Sequence, residues 1–282
     1  MLWVTLGLML NQVPKAAAAA VFLGPSPYLS FADSPFSSTY EFGFFYVETF
    51  ENGGLNTPGA TASSGWVVVA PGIYTDSVDA DDGVVDGSGT NGHSFYSNLS
   101  TSNLTVTFSA AALGGNLPTH AGIVCTDVGQ VTSGTPGFGT VTFAARDADG
   151  VPLGSITQTN FGNGAAFGSG AGAVAEDRFF GVINSIGISS IAMSVANSVD
   201  WEVDHLQYGW FRPRLRIQSV SPGITLIAWS TNAAGFVLQQ NTNLTSTNWI
   251  AVTNLPVTVG SENQVTVSSL SGITCYRLID PD

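Results

Sequence analysis

The stretch VTFAARDADGVPLGSITQ, residues 141–158, constrains the fold more than any other part of the chain. Val141, Phe143 and Ala145 alternate with Thr142, Ala144 and Arg146, the period-two pattern of a strand. DADG then turns the chain, Gly150 can supply the positive φ of a hairpin turn, and a second strand follows. Asp147 and Asp149 are read as turn formers rather than calcium ligands, because short carboxylates bond the backbone just beyond them. Further strands are predicted at 42–49, 65–70, 103–109, 121–126, 179–184, 189–196 and 200–208. Gly- and Ser-rich segments, notably 131–140 and 162–172, separate them, and no stretch has a convincing amphipathic helical period. Short strands with Gly-rich turns predict an all-β sandwich or barrel.

The composition shifts at RPRLRIQ, residues 212–218. Beyond it, LRIQSVSPGITLIAWS reads as two strands about an SPG turn, and FVLQQNTNL, WIAVTN, NQVTVSSL and TCYRLID supply the rest of a smaller sandwich. No internal repeat relates the two parts. The expected organisation is therefore a signal peptide over 1–20, a leader over 21–41, a jelly-roll β-sandwich over 42–211 and a smaller fibronectin-like β-sandwich over 212–282. Residues 2–10 are apolar but too short to span a bilayer, and Ala16–Ala20 offers A-x-A cleavage options, although no positive charge precedes the run. No other segment reads as a transmembrane helix, so membrane insertion is not expected.

Charge narrows the function classes. Only 10% of the residues are charged, against roughly 25% in typical soluble proteins, so Ser, Thr, Asn and Gly must build much of the polar surface. That balance suits an extracellular β-protein. The net charge is −13, Lys15 is the single lysine, and the one basic cluster, Arg212, Arg214 and Arg216, is short. Nucleic-acid binding, which draws on a basic face to displace counterions, is excluded on this reading, and the acidic balance instead suits divalent cations. Cys125 and Cys275 lie 150 residues apart without zinc-type spacing and are read as free thiols.

Several longer motifs carry a resemblance. VETFENGG (47–54), DSVDADDGVVDGSGTNGHSFYS (76–97), LPTHAGIVCTDVG (117–129), AEDRFFGV (175–182) and WEVDHLQYG (201–209) resemble a largely uncharacterised family of secreted bacterial jelly-roll domains often found in PEP-CTERM-sorted proteins. GFVLQQNTNLTSTNWIAV and the terminal CYRL resemble a fibronectin-type-III-like module common at the C-termini of secreted Verrucomicrobia-type proteins. Neither resemblance implies a known reaction. More distantly, the first domain is similar to galactose-binding-like jelly rolls that serve as carbohydrate-binding modules. Those carry an acidic residue near the first strand and an acidic pair in the last strand, which together hold a structural calcium. Phe50-Glu51, with Glu48 nearby, matches the first part, and Val203-Asp204-His205 matches the second only in part.

The resemblance makes Glu48, Glu51 and Asp204 a candidate calcium clasp, since calcium takes six to eight oxygen ligands that distant segments can supply. The alternative is a turn position for Glu51 and an arginine partner for Asp204. Strict alternation puts Glu202 and Asp204 on one face and Trp201, Val203 and His205 on the other, so His205 is expected to stand apart from the clasp. The acidic run DSVDADDGVVDG (76–87) misses the EF-hand register and reads as a solvated loop rich in Asx turns.

Catalytic motifs are weak. Gly168-Ser169-Gly170 lacks the G-x-S-x-G frame of a nucleophile elbow. His120 could act as a base near Asp127 or simply fix a loop, and Glu176-Asp177 or Glu202-Asp204 could supply a glycosidase pair. Arg178 beside Glu176 and Asp177 supports a structural ion pair equally well. Trp66, Tyr74, Phe95, Tyr96 and Trp210 lie in or near loops, where a ring could stack on a sugar or fill the core, whereas Trp229 and Trp249 are expected in the core of the second sandwich. Trp66, Tyr74, His93, Tyr96 and His120 are the candidate ligand-binding set. The expected function is a secreted, non-catalytic binding protein for glycan or cell-surface material. The alternatives are a self-associating structural subunit of a matrix, envelope or filament, and a polysaccharide-active hydrolase.

Overall fold

The computed structural model describes residues 20–37, 41–72, 75–80, 91–97, 103–128, 130–132, 135–136, 139–161, 177–198, 201–231, 233, 236–268 and 272–279. The predicted 1–20 signal peptide therefore lies outside the described residues apart from Ala20.

The chain is all-β. The first part contains β1 (Val21–Pro27), β2 (Phe42–Glu48), β3 (Ala60–Ala62), β4 (Trp66–Val69), β5 (Ser94–Ser97), β6 (Asn103–Phe108) and β7 (His120–Asp127). It continues through β8 (Gln130–Thr132), β9 (Thr135–Pro136), β10 (Gly139–Asp147), β11 (Pro152–Phe161), β12 (Arg178–Ile183), β13 (Ile188–Ala196) and β14 (Glu202–Phe211). The second part holds β15 (Arg216–Ser221), β16 (Ile224–Ser230), β17 (Val237–Asn241), β18 (Ile250–Ala251), β19 (Val257–Val259), β20 (Glu262–Ser268) and β21 (Cys275–Ile279).

Two sheets form the first sandwich. One runs β1-β12-β7-β14-β5-β4, with β2 also pairing β14, and the other runs β11-β10-β13-β6-β3. Every pairing is antiparallel. The hairpin read from 141–158 is β10 and β11, and Asp147 Oδ1 accepts hydrogen bonds from the amides of Asp149 (3.0 Å) and Val151 (2.8 Å), as turn chemistry requires. The second part has sheets β15-β16-β20-β19 and β18-β17-β21, a smaller β-sandwich after the first. Its core of Ile227, Trp229, Leu238, Val265 and Val267 extends to Phe211 at the end of β14. Trp249 is half-buried rather than core, with the Arg277 guanidinium 4.4 Å from its ring centroid.

The seven-stranded sheet is covered on both faces. Phe180, Ile123, Val203, Leu206 and Tyr208 meet Phe143, Val141 and Met193 of the facing sheet. On the opposite face, Val124 and Phe179 are covered by Tyr28, Phe36 and Val78. This corrects the expectation that 21–41 merely precedes the sandwich: β1 is an edge strand, and Tyr28 and Phe36 behind it cap the sheet. Apolar area on both faces had to be withdrawn from water, and this segment supplies the cover. Gly122 and Gly181, paired across β7 and β12, make room for it, since a Cβ on either would lie 2.3 or 2.6 Å from the Phe179 ring.

Candidate metal centre and aromatic row

The local structure of β14 decides what WEVDHLQYG does. Asp204 pairs with Val124 and Gln207 with Gly122, so three steps on β14 match two on β7. One extra residue is therefore a β-bulge, and His205 within it has φ +42°. The bulge shifts the phase of the strand. Trp201 and Val203 face the inter-sheet core, and so do Leu206 and Tyr208 three and five residues after Val203. Asp204, His205 and Gln207 consequently share the opposite face, which overturns the expectation that His205 stands apart from Asp204.

That face is wired in detail. Asp204 Oδ2 accepts from Ser77 Oγ (3.1 Å) and the Val78 amide (2.9 Å), and Oδ1 accepts from the His205 amide (2.6 Å). The Tyr28 hydroxyl lies 2.9 Å from His205 Nδ1 and accepts from Gln207 Nε2 (2.8 Å), while Ser34 Oγ donates to Gln207 Oε1. On the other side of the ring, His205 Nε2 lies 3.3 Å from Asp79 Oδ1, off line for a hydrogen bond. Asp204 is fully buried and Asp79 is exposed. Burial pushes the Asp204 carboxyl up to about 7, with His205 and the amides pulling it back. Burial lowers the pKa of His205, but Asp79 and Asp204 outweigh it and hold the imidazole above its ordinary value.

Buried Glu48 and Glu202, and exposed Glu51, also hold loops. Glu48 accepts from the amides of Phe50 (3.1 Å), Asn56 and Thr57 (2.7 Å), which fixes the 50–57 loop. Glu202 accepts from the Asp76 amide (2.9 Å) and Ser94 Oγ. Glu51 takes the His93 amide and lies 3.0 Å from His93 Nδ1. Gly92 lets these loops close, since a Cβ there would fall 2.2 Å from Ser77 Oγ and 3.0 Å from Glu51 Oε1.

The residues chosen from the sequence are thus rearranged. Glu48, Glu51 and Asp204 do not gather into one donor cluster among the described residues: Glu48 holds the 50–57 loop and Glu51 bonds His93. The cluster that does form is Asp79, Asp204 and His205, each offering a donor atom within 4.8 Å of the others. Asp79 was legible only as one aspartate of the acidic run. Trp66 is buried against Trp201 with ring centroids 4.5 Å apart, and its Nε1 donates to Asn103 O, so it is no ligand platform. His120 is also buried, 5.2 Å from the Phe36 ring and 5.0 Å from Phe42, and burial lowers its pKa to about 4. It begins β7 while Asp127 ends it, roughly 23 Å away at about 3.3 Å per residue, so the two cannot act as a base and its partner. Tyr96 and His93 are half-exposed, and Tyr74 and Glu176 lie outside the described residues. Cys125 and Cys275 form no disulfide.

A second feature lies along β2 and the end of β14. The register pairs Phe44 with Trp210 and Tyr46 with Tyr208. Phe44, Tyr46 and Trp210 are half-buried, Phe44 and Tyr46 pack against the first core, their rings stack at 5.7 Å, and Arg212 Cζ lies 5.9 Å from the Trp210 centroid. The sequence pointed to Trp210 alone, and Phe44 and Tyr46 were legible only as members of the predicted strand 42–49.

No protein-family profile matches the chain, and no curated protein matches it. Among solved structures, it is similar to the N-terminal tandem CBM22 domains of Paenibacillus barcinonensis Xyn10C at 13% identity, covering 86% of this chain and 92% of that one with a TM-score of 0.30. It is also similar to a cleaved adhesin domain of Lys-gingipain from Porphyromonas gingivalis at 17% identity, covering 60% of this chain and 99% of that one with a TM-score of 0.34. Scores this low support no statement about ligand or activity. Among the described residues no helix is long and apolar enough to cross a membrane, which leaves β-barrels unaddressed. The class defined by the fold is an all-β protein of two successive sandwiches.

Proposed function

We propose that the protein is a secreted, non-catalytic binding protein that takes glycan or other cell-surface polymer along the row Phe44, Tyr46 and Trp210. The observation that carries this reading is the row itself, three half-buried rings on neighbouring strand positions with Arg212 beside the last. Aromatic faces cover the C–H face of a sugar ring, and a guanidinium can donate to its hydroxyls. The buried carboxylates favour binding over hydrolysis. Glu48, Glu202 and Asp204 accept hydrogen bonds from loop backbone and hydroxyl groups, which holds those loops in place.

The test is binding of the full chain to a polysaccharide panel by calorimetry and pull-down. Trp210→Ala and Tyr46→Ala are expected to weaken binding at least tenfold, Trp210→Ala without a matching fall in melting temperature. Binding that survives both substitutions, or no binding to any polymer, overturns the reading. One observation favours self-association as a second reading: β15 is an edge strand with all six residues exposed, Ile217 and Val220 among them. Concentration-dependent light scattering distinguishes the two.

A further inference from the structure

His205 Nε2 is the one buried side-chain nitrogen among the described residues that makes no hydrogen bond. The residue is 4% exposed, and the nitrogen points at Asp79 Oδ1 3.3 Å away, with an Asp204 oxygen in the same small cluster. Its pairing with Asp79 is off line for a hydrogen bond, so the buried nitrogen is poorly satisfied, and it belongs to a cluster with two carboxylates.

We propose that Asp79, Asp204 and His205 bind a divalent transition-metal cation, zinc in the first instance, that ties the Thr75–Ala80 segment to β14. The 3.3 Å between Asp79 Oδ1 and His205 Nε2 matches the edge of about 3.4 Å between ligands of a tetrahedral zinc held at about 2.1 Å. One imidazole nitrogen and two carboxylates form a mixed donor set that suits zinc or manganese. Calcium calls for six to eight oxygens, and neither Glu48 nor Glu51 is among the donors gathered here. With both carboxylates ionised and the imidazole neutral, the three ligands would balance the charge of a dication.

The surroundings hold the ring as a metal ligand is usually held. The Tyr28 hydroxyl meets Nδ1 at 2.9 Å and the Tyr28 ring packs edge-on at 5.5 Å, with Gln207 and Ser34 fixing Tyr28 in turn. For Nε2 to offer its lone pair, Nδ1 must carry the ring proton and donate it to Tyr28. Tyr28 can then donate to Gln207, whose amide presents its oxygen there after a half turn about its last bond. Exposed Asp79 opens the site to solvent and leaves a coordination position for water.

The test uses the full chain, stripped with chelator and titrated separately with zinc, manganese and calcium. Zinc is expected to bind one per chain and to raise the melting temperature by about 5 °C or more at a hundredfold excess over Kd. Asp79→Asn is expected to weaken zinc at least tenfold and to leave the metal-free melting temperature near that of the parent, since Asp79 is exposed. His205→Asn serves as a second variant, because Asn tolerates the positive φ at this position. It is expected to lose zinc as well. No saturable zinc binding, zinc affinity unchanged in Asp79→Asn, or binding of calcium alone would each overturn the proposal.

Discussion

β14 and β15 are consecutive strands joined by residues 212–215, yet nine of ten residues in β14 are buried and all six in β15 are exposed. Both contain polar and charged residues. In β14 every acid has backbone or hydroxyl donors brought to it, Ser77, Val78 and His205 to Asp204, and Asp76 and Ser94 to Glu202. In β15, Arg216 reaches across open surface to Glu262 at 2.6 Å. The difference teaches that depth, more than residue type, sets what a charged side chain does here. A carboxylate in the wall of the first sandwich organises a loop, whereas one on the second sandwich forms a pair that water can replace.

The sharpest way to break the comparison is to remove apolar mass from each part. Trp201 is 1% exposed and packs edge-on to Trp66, so Trp201→Ala should cost about 3–5 kcal/mol. Val257 in edge strand β19 is 65% exposed, and Val257→Ala should stay within about 0.5 kcal/mol. Denaturant unfolding measures both. Similar costs would mean that the second sandwich is as tightly packed as the first.

The next effect depends on pH. His120 is buried among Phe36, Phe42 and Phe211, and its pKa falls from 6.5 to about 4 because burial disfavours the charged ring. Its unfolded form therefore takes up a proton at a higher pH than the folded form. The stability it supports is complete above pH 6.5 and is lost as pH falls toward 4, by about 3 kcal/mol in all. A His120→Gln variant lacks this titration. The stability difference between parent and variant should shift by that amount across the window, and a difference independent of pH would show that His120 is protonated in place.

Most of the strand plan was legible in the sequence, because period-two alternation and Gly turns are local. The predicted strands 42–49, 103–109, 121–126 and 189–196 lie within a residue or two of β2, β6, β7 and β13. β1 escaped because Pro25 and Pro27 argue against a strand, and a proline is tolerated there only because β1 is an edge. The metal cluster escaped because it depends on one extra residue in β14, and a bulge is defined by the register of the partner strand. One trace was present: the apolar set Trp201, Val203, Leu206 and Tyr208 breaks its own two-residue step between 203 and 206. Asp79 carried no such trace, since the contact with His205 joins segments 126 residues apart.

The smallest effects come from neutralising one carboxylate in each sandwich. Glu48 is 3% exposed and accepts three backbone amides, so Glu48→Gln turns an NH2 group toward donors that need an acceptor. A cost of about 1–3 kcal/mol is expected, with faster amide exchange confined to residues 50–57. Glu262 sits at the surface, and its hydrogen bonds with Arg216 hold its carboxyl below the usual range. Glu262→Gln should leave the melting temperature unchanged within error, because water takes over both partners. Hydrogen exchange on the two variants reads the contrast directly, since only the first should release a loop. If Glu262→Gln loosens β15 as Glu48→Gln loosens 50–57, then the edge of the second sandwich depends on its ion pair, and exposure alone does not decide what a carboxylate contributes.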